Sequence, residues 1–302
     1  MSVTVNINAT NPQSHTGSSK YMCCIIIPIY KINISEYEII SLKQCCAILG
    51  KHPIIFVTHN KLDCTVYNTI CDESNISYKY EYFSKKYFSN ISCYNSLLLS
   101  KRFYSRFINY EYMLIYQLDA YVFKDELEYW CKKGYDYIGA PWLKLNKSKT
   151  MPEFDNIQAI GNGGFSLRNI KKIITIHSFN ISIISFFHFL YYNEITFNSL
   201  EDILFFIPKI LFRVVLKSLK FIFHRQHEFD NEDVKWSKLI KKKGKFPSIT
   251  EAVKFSFENF PEYLYQLNNG ELPFGCHDWY KYYNLLFYKS ILHDKLLITS
   301  KN

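Results

Sequence analysis

Three short, unbroken apolar runs do most to limit the folds open to this chain: CCIIIPIY at Cys23–Tyr30, HPIIFVT at His52–Thr58 and YMLIYQL at Tyr112–Leu118. None alternates apolar with polar residues, so each suits a strand covered on both faces, as in an α/β sheet. Between the first two, Ser35–Leu49 carries apolar residues at helical spacing, with Ser35 placed to cap the helix N-terminus. Strand, helix, strand opens an α/β sheet. The expected architecture is a mixed central sheet flanked by helices, and 302 residues that are 48% hydrophobic can bury the core it needs.

Further along, the spacing predicts a helix over Ser92–Ile108 leading into the third run, and a short helix at Leu127–Lys133 stopped by Gly134. Tyr135–Trp142 is expected as a strand or extended loop, residues 144–157 as a polar, mobile surface loop, and Asn169–Thr175 as a helix. Residues 1–20 are rich in Ser, Thr and Asn and read as a disordered tail, which leaves residues 21–302 as one domain with an insertion at about 176–228. Inside that insertion, Ile203–Phe223 (ILFFIPKILFRVVLKSLKFIF) places Lys209, Arg213, Lys217 and Lys220 within an arc of about 80° on an otherwise apolar helix. Four cations and Pro208 argue against a membrane-spanning helix. The amphipathic stripe fits a helix lying in an anionic membrane interface, or a core helix with one solvent-facing side.

The formal charge of +9 favours an anionic partner, among which nucleotide phosphates, an anionic lipid surface and nucleic acid all qualify. No zinc-finger spacing, RNP-like stretch or base-reading basic helix appears, so nucleic acid is set aside. Nine cysteines with no CxxC pair exclude a zinc ribbon and a thioredoxin motif, and their odd number fits a disulfide framework poorly. The first twenty residues lack the apolar stretch of a signal peptide, so the expected setting is the reducing cytoplasm, with the 203–223 stripe able to hold the protein at a membrane surface.

Four stretches carry residues suited to chemistry. The third apolar run ends on Asp119, within YQLDAYVFKDE; a buried strand would deliver that carboxylate to a sheet edge where a metal-bound diphosphate could meet it, and an ordinary turn aspartate has the same signature. GNGGFSLR at Gly161–Arg168 holds three glycines, which permit close backbone approach or a tight strand-to-helix turn. NEDVKW at Asn231–Trp236 sets Glu232 beside Asp233 at a helix start, where carboxylates also serve as caps. PFGCHDW at Pro273–Trp279 presents His277 as a metal ligand or a structural histidine.

Taken in order, and with FSFE at Phe255–Glu258 between the last two, these stretches resemble the DUF5672 domain family, which is similar to glycosyltransferases of GT-A fold; the resemblance covers roughly Tyr21–Tyr282. It implies a GT-A-like domain in which Asp119 matches the first acid of the Asp-x-Asp motif that holds a divalent cation, usually manganese, on a sugar-nucleotide diphosphate. The third position of that motif is Tyr121 here. His277 matches a late histidine ligand of several such families, and an imidazole can complete a manganese shell. The glycine turn implies donor contacts from Gly161, Asn162, Gly163 and Gly164. The Glu-Asp-Val stretch implies Asp233 as the base that deprotonates the acceptor hydroxyl, with Glu232 in reserve and inversion at the anomeric carbon. Pro28, Tyr30 and Thr58 fall where GT-A folds contact the nucleotide, and Asn95, beside Tyr94 in YNSLLLS, could line the donor pocket.

The implied activity is transfer of a sugar from a nucleotide-sugar donor to a glycan or lipid-linked acceptor. Two alternatives stand beside it. A sugar nucleotidyltransferase would carry a glycine-rich basic loop after its first strand, and Lys31–Glu38 has neither glycine nor arginine. A GT-A-like protein that binds glycans or membranes without catalysis is the other.

Overall fold

The computed structural model describes residues 22–145, 152–154, 160–176, 231–281 and 284–292. The expected tail at 1–20, nearly all of the insertion at 176–228 and the basic stripe at 203–223 lie outside the described residues. The strands are β1 Cys23–Pro28, β2 Ile54–Thr58, β3 Tyr78–Tyr82, β4 Tyr112–Tyr116, β5 Tyr121–Val122, β6 Tyr137–Ile138, β7 Leu143–Leu145, β8 Pro152–Phe154, β9 Phe165–Asn169, β10 Ser256–Phe257 and β11 Gly275–Cys276. Six of them form a central sheet in the order β3-β2-β1-β4-β9-β6, three a small sheet in the order β10-β11-β5, and β7 pairs with β8. Strands β1 to β4 are parallel to one another, whereas β9 runs antiparallel to both β4 and β6, so the sheet is mixed.

The unbroken apolar runs follow from helices on both faces of this sheet. Along β1, Ile25 and Ile27 join the core formed with Leu42, Cys45 and Leu49 of the helix Glu36–Leu49, while Cys24 and Ile26 join the opposite core with Phe103, Tyr104 and Trp236. Successive residues serve opposite layers, so no position is left for a polar residue. Each buried isoleucine contributes about 1.5–3 kcal/mol through removal from water. The helix Glu36–Leu49 starts as expected: the Ser35 N–H donates to Glu38 Oε2 at 2.8 Å and the Glu38 N–H to Ser35 Oγ at 3.3 Å, a reciprocal cap. Gly134, at φ 70°, closes the helix Leu127–Lys133.

Three expectations are corrected. The single helix over Ser92–Ile108 is two helices, Ile91–Leu98 and Lys101–Ser105, because extended Ser100 caps the second by accepting the Phe103 N–H on its Oγ. The glycine stretch does not turn straight into a helix: FSLRN is β9, paired with β4 along its whole length, and helical residues begin at 170. The described parts of the loop at 144–157 belong to the β7–β8 hairpin. All nine cysteines are free thiols, and no helix of the described residues is long and apolar enough to cross a membrane.

Candidate functional site

Asp119 sits just beyond the end of β4, on a turn closed by the Ala120 N–H donating to the Gln117 carbonyl at 2.9 Å. The Gln117 N–H donates to the Gly164 carbonyl at 2.8 Å, so the β4–β9 pairing reaches one rung into the glycine turn and fixes its position against Asp119. The small sheet brings the other partners. The His277 N–H donates to the Phe257 carbonyl at 3.0 Å and the Trp279 N–H to the Asp119 carbonyl at 3.2 Å, which places His277 between Asp119 and Glu258.

The imidazole bridges two carboxylates, with Nε2 3.1 Å from Asp119 Oδ1 and Nδ1 3.1 Å from Glu258 Oε1. Lys281 Nζ lies 2.8 Å from Asp119 Oδ2 and also contacts Asp278 Oδ1, which is 3.6 Å from His277 Nε2. Burial works against ionised Asp119, but His277 and Lys281 hold it well below the usual carboxylate range. Burial likewise opposes the imidazolium, and Asp119 followed by Glu258 overcomes it, raising His277 well above its ordinary value.

Among the described residues, Asp119, His277 and Asp278 form a group whose ligand atoms lie within 4.8 Å of one another. Two carboxylates and an imidazole are a donor set suited to manganese and similar divalent ions. Glu258 orients the ring through Nδ1, as an outer carboxylate does for a metal-binding histidine. Its Oε2 is buried with no hydrogen-bond partner among the described residues. The residues fit a divalent cation, provided that His277 gives up its Nε2 proton and Lys281 leaves the carboxylates.

The glycine turn separates this group from the acidic pair. Asn162, buried at φ 120°, accepts the N–H groups of Gly164 and Phe165 on its Oδ1 at 2.7 and 3.1 Å, and its carbonyl accepts the Tyr137 hydroxyl at 2.9 Å. A Cβ on Gly164 would overlap the His277 imidazole, and one on Gly163 would press on Glu232 Oε1. Only backbone without side chains can pass here.

Glu232 opens the helix Glu232–Lys243 and is 2% exposed. Both of its oxygens accept from the Arg168 guanidinium at 2.8 Å, and fully buried Arg168 also donates to Ser166 Oγ and to Tyr104 Oη. Burial raises Glu232 to about 7 against the pull of Arg168, while the carboxylate helps to keep the guanidinium firmly charged. Asp233 is different. It is only partly buried, and its Oδ1 accepts the Val234 N–H at 2.7 Å. Burial, with Glu258's charge adding, raises its affinity for a proton. The Asn95 amide donates to Asn231 Oδ1 at 3.2 Å and the Trp236 indole to the Leu98 carbonyl at 3.1 Å, which tie this helix start to the helix Ile91–Leu98.

Asp119, His277, Glu258, Lys281, Glu232 and Asp233 line one cleft of about 650 Å³, to which Pro28, Tyr30, Asn95, Gly163 and Gly164 also contribute. Three sequence candidates do not line it. Thr58 is fully buried at the end of β2, Gly161 packs against the Trp142 indole, and Asn162 spends its carbonyl oxygens on shaping the turn. Conversely, sequence reasoning gave no role to Glu258, Asp278, Lys281 or Arg168. Glu258 and Asp278 stood inside stretches already singled out, FSFE and PFGCHDW, and Arg168 is a lone charge in an apolar strand. Lys281 carried no signal.

The fold and cleft define a mixed α/β protein with an acid–imidazole cluster at the end of its parallel strands. The sequence matches the family of proteins of unknown function DUF5672 over residues 77–277, well over half of the chain, and the protein belongs to that family. No curated protein matches it. Among solved structures, it is similar to the apo form of the glycosyltransferase GlyE of Streptococcus pneumoniae TIGR4 (12% identity, 93% of this chain and 64% of that one, TM-score 0.44). It is also similar to core-mannan synthase A of Aspergillus fumigatus in a Mn/GDP form (13%, 53% and 62%, 0.36). A third is the mannosyltransferase Ktr4p of S. cerevisiae in complex with GDP (12%, 47% and 46%, 0.31). This chain spans less than two thirds of the length of each.

Proposed function

We propose that this protein is a nucleotide-sugar-dependent glycosyltransferase, with Asp233 as its base and Asp119, His277 and Asp278 as the group that holds a divalent cation, Mn2+ by donor set. One observation carries the reading: a carboxylate with raised proton affinity and two members of a metal-competent cluster, Asp119 and His277, line the same cleft on either side of the Gly163–Gly164 backbone. In this reading Asp233 takes the proton of an acceptor hydroxyl, that oxygen bonds to the anomeric carbon, and the bond from that carbon to the diphosphate breaks with its electron pair leaving on the diphosphate. Attack opposite the leaving group inverts the anomeric configuration. A cation bound by the cluster supplies neutralisation of the diphosphate. Glu232 is unsuited to the base role because both of its oxygens are engaged by Arg168.

The acceptor is a glycan or a lipid-linked glycan. The basic stripe in residues 203–223 supports work at an anionic membrane face, and nine free thiols support a reducing setting. The test is a panel of uridine, guanosine and cytidine diphosphate sugars, with and without MnCl2, read as diphosphate release. One donor class should turn over, and Asp233→Asn should lower turnover about 10²–10⁴-fold while donor binding persists. Binding without turnover in every arm, unchanged in Asp233→Asn, would leave a non-catalytic binding protein instead.

A further inference from the structure

We infer that Lys281 is a tethered cation of the donor site: its ammonium holds the place between Asp119 and Asp278 that a divalent ion would take, and passes to the diphosphate when the ion enters. This rests on reading Asp119, His277 and Asp278 as a divalent-cation site. Two of those three residues are bonded to the ammonium, Asp119 Oδ2 at 2.8 Å and Asp278 Oδ1 in direct contact. The Lys281 side chain is 41% exposed, against 18% for Asp119 and 26% for Asp278, so the ammonium reaches inward from the open side of the cleft. Its backbone is anchored by the Lys281 N–H donating to the Asp278 carbonyl at 3.0 Å, which leaves movement to the four-carbon stem.

An ammonium satisfies carboxylates as a mobile point charge, with three donors and no capacity to ligate. A divalent ion needs the same oxygens as ligands, and the two cations would repel at contact distance. One therefore excludes the other. Once displaced, the ammonium stands in a cleft whose lining also holds the carboxylates Glu232, Asp233 and Glu258, with Lys31 as a further cation already paired with Glu38 at 2.8 Å. An incoming diphosphate offers it a new partner in the same space. The lysine thus weakens the binding of bare metal and strengthens that of a diphosphate, and by linkage a diphosphate that captures Lys281 tightens the metal.

The experiment uses the full chain and two probes, Mn2+ alone by electron paramagnetic resonance, and UDP and GDP by equilibrium dialysis in EDTA. Lys281→Met should bind Mn2+ at least tenfold more tightly than the unaltered protein and bind the better of the two diphosphates at least tenfold more weakly. Lys281→Arg, which keeps the charge, should stay nearer the unaltered protein in both. Opposite signs for the two ligands are a pattern that general damage to the fold does not produce. Measurable Mn2+ binding that is no tighter in Lys281→Met overturns the role of Lys281 while the metal site stands. Absence of Mn2+ binding in both proteins overturns the metal site and this inference together.

Discussion

Arg168→Met offers a quantitative test of how the acidic pair is built. The guanidinium is fully buried and makes two 2.8 Å bonds to Glu232, two to Ser166 Oγ at 3.1 and 3.0 Å, and one to Tyr104 Oη at 3.0 Å. Its loss strands a carboxylate that is 2% exposed. Breaking a buried pair from one side costs about 3–5 kcal/mol, and the hydroxyls left without their donor add about 1 kcal/mol. Against a total stability of about 5–15 kcal/mol, that is a large share. Removing both charges together, as Arg168→Met with Glu232→Met, should recover at least about 2 kcal/mol of the loss, because apolar replacement of a whole buried pair is often neutral. Urea unfolding followed by circular dichroism and by the fluorescence of the buried tryptophans Trp130, Trp236 and Trp279 measures all three variants. A cost below about 1 kcal/mol for Arg168→Met, or a double variant no better than the single, refutes the account of Glu232 as an anchor that depends on its partner.

Two further outcomes follow from the same geometry. Gly164→Ala puts a methyl into the His277 ring; it should cost about 1–3 kcal/mol and weaken Mn2+ binding at least tenfold, and unchanged binding would show that the turn does not fix the ring. In EDTA, Asp119 stabilises the fold above its ordinary 3.8 and loses that contribution as pH falls towards its depressed value, while His277 stabilises it below its ordinary 6.5 and loses that contribution as pH rises through its raised value. The contribution of this pair should therefore plateau between those two ordinary values and decline in alkali, so the difference in thermal stability between the unaltered protein and His277→Gln should narrow as pH rises into the alkaline range.

The sheet was legible because burial on both faces leaves a sequence mark, the continuous apolar run, and Ser35 with Glu38 marks a helix start just as locally. Ser100 was missed because a capping serine inside a helical spacing pattern looks like an exposed helical residue until its backbone is seen. β9 was hidden by the glycines just before it, which read as a turn, and by Arg168, whose charge is acceptable in a core only because Glu232 arrives from far along the chain. Cleft-lining residues on chain segments with distinctive types, Asp119, Asp233 and His277, could be picked singly. Their number as a cluster could not, since Lys281 and Glu258 act only through contacts made by the small sheet, and Thr58 and Asn162 differ from true lining residues only in which way they face.

The Arg168–Glu232 clamp also joins two segments that lie 64 residues apart in the chain. Residues 170–176 leave β9 into the core shared by Ile170, Ile173 and Ile176, and Trp236 and Ile240 re-enter that same core just after Glu232. The segments ending at Ile176 and beginning at Asn231 are therefore fastened to one buried layer beside the candidate site. The spacing of Asp233 from Asp119 is thereby held by contacts between segments far apart in the chain, the clamp on one side and the glycine turn on the other, rather than by the residues that follow each other in sequence.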